Sequence, residues 1–166
     1  MAAAPPRRWG WHPLTAEWAD RLVAMTPVRS HDVVVDLGAG EGALSDPLAR
    51  TGARVLAVEL HPRRAEHLRR RFSGTRVAVL ELDLAEFRWP GHPFRVVANP
   101  PYTGVNPLVR RLLALRQLRS ADLVVAEGVA RGLAGRYGDR VELGPVVPRR
   151  AFRNRPPTDA RVVRIR

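Results

Sequence analysis

The tetrad Asn99-Pro100-Pro101-Tyr102 combines residue types that can act on a planar amine. Such an amine is a poor nucleophile because its lone pair is delocalised, so a catalyst must hold hydrogen-bond acceptors where the nitrogen becomes pyramidal. The side-chain oxygen of Asn99 and the carbonyl oxygen of Pro100 are acceptors of this kind. Prolines stiffen the loop by fixing φ at about −65°, and Tyr102 can stack on an aromatic base. The tetrad therefore predicts a catalytic loop.

A glycine-rich stretch at residues 36–42 supplies a second chemical feature. Glycines let a ligand approach the backbone closely. Gly38, Gly40 and Gly42 follow the spacing Gly-x-Gly-x-Gly, not the Gly-x-Gly-x-x-Gly of dinucleotide sites, and Glu41 would lie beside a pyrophosphate. A cofactor without phosphate is favoured. S-adenosylmethionine qualifies, because its sulfonium and ammonium groups are cationic.

Three carboxylates follow the first three predicted strands, at Asp36, Glu59 and Asp83. Glu59 can accept hydrogen bonds from both ribose hydroxyls, and Leu60 can cover an adenine ring. Asp83 can accept the adenine amino group, while Leu84 offers a backbone amide to a ring nitrogen. Because parallel strands end at one edge of a sheet, we expect these acids to converge on one crevice.

Alternating strand and helix patterns position these residues. The alternation predicts an α/β fold whose parallel sheet carries helices on both faces. Two final strands have no helix between them, which predicts an antiparallel hairpin. The predicted helices are 15–25, one from Leu44, 62–72, 106–117 and 129–137; the predicted strands are 33–36, 54–59, 77–82, 95–98, 122–126, 141–147 and 161–165.

Length and composition limit the number of domains and the classes of molecule that the chain can bind. Its 166 residues fit one domain, 1–166, and its net charge of +12 favours a polyanion such as RNA. It has no cysteine, which excludes disulfides and thiolate chemistry. No apolar run approaches the roughly 20 residues of a membrane span, and residues 1–8 lack the apolar stretch of a signal peptide. We expect a cytoplasmic monomer with neither metal nor membrane partner.

With these pieces in place, the sequence resembles the ribosomal RNA adenine dimethyltransferases, and most closely their Erm group. The resemblance rests on residues 35–42, 57–60, 82–84, 99–102 and 148–166. It implies a Rossmann-like class I S-adenosylmethionine-dependent methyltransferase with a mostly parallel seven-stranded sheet. It also implies methyl transfer to the N6 amine of an adenine in the peptidyl transferase region of 23S rRNA, giving macrolide-lincosamide-streptogramin resistance.

The two ends of the chain depart from the motifs of that family. The N-terminal Gln-Asn-Phe-Leu, which touches the methionine end of the cofactor, corresponds here to Trp11-His12-Pro13-Leu14. In the tail pattern Phe-x-Pro-x-Pro-x-Val-x-Ser, Phe152 is in register and resembles the second aromatic that sandwiches a flipped-out adenine. Residues 155–160 weaken the proline and serine matches. The chain resembles a short form that ends with the sheet and lacks the family's C-terminal helical domain.

Without that domain, RNA binding is expected to fall on residues 1–30, which also serve the cofactor, and on a basic loop at 149–160. Trp9 and Trp11 can stack on RNA or pack on the sheet edge, and the arginines at 63–64, 69–71 and 110–111 are expected to be solvated. The expected site comprises a catalytic set (Asn99, Pro100, Tyr102, Phe152), a cofactor set (His12, Leu14, Asp36, Gly38, Gly40, Glu59, Leu60, Asp83, Leu84, Asn99) and an RNA set (Arg149, Arg150, Arg153, Arg155).

Three alternatives remain open. A 16S rRNA adenine dimethyltransferase of ribosome assembly shares these motifs, and Asn-Pro-Pro-Tyr also serves the planar amines of glutamine and guanine. The Phe152 tail argues against the glutamine and guanine acceptors. An RNA-binding factor without activity is the third alternative, and the intact Glu59, Asp83 and Asn99 argue against it.

Overall fold

The computed structural model describes residues 11–101 and 104–166. The predicted roles of Trp9 and Tyr102, and the expectation for residues 1–8, lie outside these ranges. The strands are β1 (Val33–Leu37), β2 (Arg54–Val58), β3 (Val77–Leu80), β4 (Phe94–Ala98), β5 (Leu118–Ala126), β6 (Val141–Val147) and β7 (Ala160–Ile165). The helices are α1 (Ala16–Ala24), α2 (Ser45–Arg50), α3 (Pro62–Arg71), α4 (Val105–Leu113) and α5 (Glu127–Tyr137), with short 3₁₀ turns at Gly138–Arg140 and Arg149–Ala151.

The seven strands form one sheet in the order β3-β2-β1-β4-β5-β7-β6. The first five strands are mutually parallel, while β7 is antiparallel to both β5 and β6. The predicted α/β fold, with a mostly parallel sheet and an antiparallel C-terminal hairpin, is confirmed. Strand order reverses at β1, which lies between β2 and β4, and ligands of open α/β sheets bind at such a switch point, beyond the carboxyl ends of the strands.

Both faces of the sheet are buried, which explains why β1 begins with the apolar run Val33-Val34-Val35. Val34 packs in the cluster that α1 and α2 cover, and Val35 packs in the cluster that α4 and α5 cover. Successive side chains of a strand point to opposite faces, so a strand between two helical layers needs apolar residues at every position. The site therefore rests on a rigid base.

The helix starts follow the local sequence signals. The Thr15 hydroxyl caps α1 by accepting from the Trp18 amide at 3.4 Å. Pro62 opens α3 at a first-turn position, where the missing N–H costs nothing.

Several boundaries differ from the predicted ones. β3 ends at Leu80 rather than residue 82, because Asp83 begins a turn in which its carboxylate accepts from the Ala85 amide at 2.9 Å. α4 ends at Leu113, four residues early. β5 begins at Leu118 and is longer than predicted, because it pairs with both β4 and β7.

Within the described ranges, none of the helices combines the length and apolar character that crossing a bilayer requires.

Candidate cofactor and catalytic site

The loop after β1 takes a path that only glycine permits. Gly40 and Gly42 have φ of +60° and +93°. A Cβ on Gly40 would lie 2.8 Å from Nε1 of Trp11, and one on Gly42 would lie 2.8 Å from Cε2 of Phe72. Larger residues would be strained by both the backbone angle and these contacts. The loop thus packs closely on its neighbours at the switch point.

Glu59 follows β2 and is buried, with 4% of its surface exposed. Its Oε2 accepts from the Gly40 amide at 2.8 Å, and its Oε1 accepts from the His61 amide at 2.8 Å and from Arg64. A carboxylate offers about four lone-pair positions, so capacity remains on Oε2. The side chain fits the predicted role of binding a ribose, and it also anchors the glycine loop.

Asp36 lies near the end of β1, just before the same loop, and is buried, with 1% of its surface exposed. The Ser45 hydroxyl donates to its Oδ2 at 2.7 Å. Burial raises the pKa of Asp36 to about 7, the charge of Glu59 adds to the rise, and the Ser45 bond opposes it. A cationic ligand placed beside Asp36 would favour its ionised form.

The adenine side of the predicted cofactor site is more open. Leu60 is 41% exposed. Asp83 is exposed and lies in the turn after β3, and Leu84 is partly buried. One cavity brings together Leu14, Asp36, Gly38 and Asn99. The other members of the cofactor set lie outside its lining: His12, Gly40, Glu59, Leu60, Asp83 and Leu84. The methionine end of the predicted site is therefore assembled more tightly than its adenine end.

Asn99 follows β4 and faces this cavity. Its Nδ2 donates to the main-chain oxygen of His12 at 2.8 Å. Within residues 11–101 and 104–166, Oδ1 of Asn99 accepts no hydrogen bond from the protein. Pro100 is buried, and Pro101 packs on the glycine loop, with its Cδ 3.1 Å from where a Cβ on Gly38 would be. The amide oxygen thus retains the acceptor capacity that its predicted role needs.

Residues 11–15, here called the N-terminal strap, cross the site. The strap pairs with residues 151–154 through Thr15 N to Ala151 O at 2.8 Å and Arg153 N to Pro13 O at 2.9 Å. The ring of Trp11 lies on the glycine loop, and the Arg64 guanidinium lies over it, 5.0 Å from the ring centre. Trp11 thus packs on the glycine loop after an interior strand rather than at an edge strand, and its stacking on RNA stays a prediction.

Phe152, the predicted second aromatic of the base sandwich, is buried against the N-terminal strap. Phe152 is 2% exposed and forms an isolated bridge with Leu14, itself 1% exposed. Its ring makes an edge contact with His12, with ring centres 6.4 Å apart. An aromatic ring next to a second buried apolar side chain is stabilised by leaving water. Stacking on a base stays a prediction, and it requires the ring to leave this position.

The four arginines of the basic loop differ in their engagement. Arg153 pairs with Glu41 at 3.0 Å, and Arg149 donates to the Pro156 carbonyl at 2.6 Å. Arg150 and Arg155 are exposed, and Arg155 has a positive φ of 39°. The basic loop therefore presents Arg150 and Arg155 to solvent, whereas Arg153 is bonded to Glu41 of the glycine loop.

The arginines expected to be solvated are exposed except for Arg64, and several of them also bond within the protein. Arg64 pairs with Glu59 at 3.1 Å, Arg71 with Asp46 at 3.3 Å, and Arg111 donates to the Phe87 carbonyl at 3.3 Å. Sequence reasoning missed Ser45, Arg64 and Asn154 as site residues. Only Arg64 carried a signal, since it lies in the first turn of a helix that begins three residues after Glu59.

A glycine loop after β1, a buried acid after β2 and an Asn-Pro-Pro loop after β4 meet at the switch point of this sheet. This combination, on a sheet of this order, is that of the class I methyltransferase fold. Residues 15–147 match the family described as ribosomal RNA adenine dimethylase, and the chain belongs to that family.

Similar proteins include both resistance enzymes and small-subunit enzymes. The mycinamicin-resistance protein MyrB of Micromonospora griseorubida is 38% identical over 102 residues, which are 61% of this chain and 32% of that protein. A probable ribosomal RNA small subunit methyltransferase A of Thermococcus kodakarensis is 30% identical over 158 residues, which are 87% of this chain and 56% of that protein.

Among solved structures, 23S rRNA methyltransferase ErmE superposes with a TM-score of 0.84 at 28% identity, covering 93% of this chain and 69% of that one. The chain spans 32% and 56% of the lengths of these two curated relatives.

Proposed function

We propose that this protein transfers a methyl group from S-adenosylmethionine to the N6 amine of an adenine in 23S rRNA, in the peptidyl transferase region. The observation that carries the proposal is the orientation of Asn99, whose nitrogen is held by the His12 carbonyl. Its oxygen is left as an acceptor beside the cavity that Asp36 and Gly38 line. Such an acceptor stabilises the amine as it becomes pyramidal.

S-adenosylmethionine would supply an electrophilic methyl group on its sulfonium. Asp36 would then compensate positive charge, Glu59 would bind the ribose, and Leu60, Asp83 and Leu84 would contact the adenine ring of the cofactor. The strap residues His12 and Leu14 would border its methionine end. The donor set fits the group, because the lining holds the carboxylates of Asp36 and Glu41 and the amide of Asn99. Its two arginines, Arg71 and Arg153, pair with Asp46 and Glu41.

Asn99 and Pro100 would accept the two hydrogens of the target amine, and Tyr102 would stack on the base. No base catalyst is required if the methylated amine loses its proton to water after transfer. Positioning and electrostatics then account for the rate. Phe152 joins Tyr102 on the base only if its ring leaves the position described above.

The basic loop would hold RNA through Arg149, Arg150, Arg153 and Arg155. Arg153 would exchange its bond to Glu41 for a phosphate, whereas Arg150 and Arg155 already face outward. Phosphate contacts give affinity that falls with salt.

Similarity to ErmE and to MyrB supports 23S rRNA as the substrate and macrolide-lincosamide-streptogramin resistance as the outcome. The similarity to a small-subunit methyltransferase covers a longer part of this chain than the similarity to MyrB does. It supports a second candidate, dimethylation of a 16S rRNA adenine in ribosome assembly. The two candidates share one chemistry and differ in the RNA that is chosen.

Primer extension on 23S and 16S rRNA from cells with and without the gene tests the proposal, with macrolide susceptibility measured in parallel. We expect a new stop at a 23S adenine and reduced susceptibility, and neither change in cells that express Asn99→Ala. A stop in 16S rRNA with unchanged susceptibility would select the second candidate. Methylation of a guanine or a protein glutamine instead would remove adenine as the acceptor.

A further inference from the structure

The amide of Asn99 can be oriented in only one way. Its neighbour at 2.8 Å is the main-chain oxygen of His12, and a carbonyl oxygen only accepts hydrogen bonds. The nitrogen end of the amide must therefore face His12, and the oxygen end must face away. The position of the His12 carbonyl thus sets the direction of the acceptor that the proposed function uses.

The residue that carries this carbonyl is held by Asn154 through its side chain and through the peptide before it. Nδ2 of Asn154 donates to the main-chain oxygen of Trp11 at 2.9 Å, and Oδ1 lies 3.0 Å from Nδ1 of His12. Because the Trp11 oxygen is also only an acceptor, the orientation of Asn154 is fixed in the same way. The hydrogen between the other pair must then be on Nδ1 of His12.

Main-chain pairing cannot replace this contact. The strap pairs with residues 151–154 at Thr15 and at Pro13, but proline has no N–H. The contacts of Trp11 with Arg64 and Gly40 hold its indole rather than the carbonyl of His12. Before Pro13, the side chains of Asn154 and Asn99 bond to the main chain of the strap, at Trp11 and at His12.

We propose that Asn154 is a positioning residue for Asn99. It acts through the strap and does not contact the reacting atoms. The inference rests on the proposed function, in that Asn99 accepts from the target amine. His12 and Asn154 stand where the motifs quoted above have asparagine and proline. The two departures from the family pattern therefore form a single hydrogen bond in this chain.

Steady-state kinetics of Asn154→Ala tests the kinetic consequence, with Gln117→Ala, an exposed amide far from the site, as the matched control. A displaced catalytic group costs turnover, so kcat should fall about tenfold to a hundredfold while KM for RNA stays within about twofold. The control should match the wild type. An unchanged kcat, or a raised KM with normal kcat, overturns the inference.

Asn154→Asp retains the acceptor for His12 and removes the donor to Trp11, so its kcat should lie between those of the wild type and Asn154→Ala. This variant also serves if Asn154→Ala does not fold. A kcat equal to that of the wild type would show that the bond to Trp11 is dispensable and would contradict a role through the strap.

A measurement without turnover separates this inference from the proposed function. The chain has four primary amide side chains, Asn99, Asn106, Gln117 and Asn154, so a ¹⁵N–¹H spectrum should show four NH₂ pairs, and the pair missing in Asn99→Ala identifies Asn99. In Asn154→Ala that pair should move and exchange faster with solvent, while Gln117→Ala leaves it in place. A response without any rRNA methylation by the wild type would support the positioning and reject the function, whereas an unmoved pair overturns the positioning whatever the activity.

Discussion

Polar groups at the two ends of the sheet are satisfied to different degrees. At the amino-terminal end of the parallel strands, Asp32 accepts from the Arg29 amide and from Arg95, and Arg95 also donates to Ser120. Burial alone would raise the pKa of Asp32, but these bonds outweigh it and lower that pKa.

The Asp122–Arg164 pair lies on the same face of the sheet, and its atoms are 3.0 Å apart. Burial raises the pKa of Asp122 although Arg164 opposes the rise. Asp32, Arg95 and Ser120 are thus linked by hydrogen bonds, and Asp122 is paired with Arg164. At the carboxyl end, by contrast, Asp36 and Asn99 keep acceptor capacity. The difference indicates that one end serves stability and the other retains unused bonding capacity for a ligand.

The largest expected effect comes from Asn99→Ala at the carboxyl end. Losing a donor or acceptor aimed at the transition state costs roughly 10²–10³-fold in kcat, while cofactor affinity and thermal stability should stay near those of the wild type. Single-turnover methylation and calorimetry with S-adenosylmethionine measure the two quantities. Near-normal methylation would remove the tetrad from the mechanism.

Arg164→Met should act in the opposite way, on stability alone. It leaves the buried Asp122 carboxylate without its cation, a change that we expect to lower the free energy of unfolding by about 2–3 kcal/mol, less than for a fully buried pair. Urea unfolding checks this value. The kcat of the folded enzyme should be unchanged, and a lost kcat with normal stability would contradict the division between the two ends.

Asp36 should make cofactor binding dependent on pH. With its pKa raised to about 7, the group is neutral at lower pH, so affinity for a cationic ligand should rise about tenfold between roughly pH 6 and 8. Asp36→Asn should bind more weakly and show no such rise. The same shift means that the folded protein holds this proton more tightly than the unfolded chain, so its stability contribution falls as pH rises from about 4 through 7. A flat profile in the wild type would exclude ionisation of Asp36 on binding.

The smallest effects are expected from the outward arginines. Arg150→Gln and Arg155→Gln should each reduce the slope of log affinity against log salt by about 0.7 to 0.9, the value for one phosphate contact. Arg54→Gln is the control, since Arg54 is exposed at the start of β2 on the opposite edge. Fluorescence anisotropy with an rRNA fragment gives the slopes. Equal slopes for all three variants would show that RNA does not choose the basic loop.

Sequence patterns predicted the sheet and the identity of the acids because both follow from local rules. The apolar run of β1 and the glycines that follow it specify a strand and a tight loop within a few residues. The same rules missed the end of β3, since the Asp83 turn competes with the strand and no periodicity reports that competition.

The burial of Phe152 and the role of Asn154 lay beyond such rules. Both depend on the strap, which is more than 130 residues away along the chain. The motif register indicated only that Phe152 occupies the aromatic position of the family's tail pattern. The pairing of Arg64 with Glu59 lies between these cases, because its partners are near in sequence but their contact depends on how α3 leaves β2.

The bonds from Asn154 to the strap span 142 and 143 residues of sequence, and the bond from Asn99 to His12 spans 87. Contacts between such distant segments form late, because a long loop must close before they contribute. During synthesis the glycine loop and Asn99 can leave the ribosome well before residue 154 exists. We therefore expect a nascent chain to acquire its acceptor geometry only when its final strands have emerged.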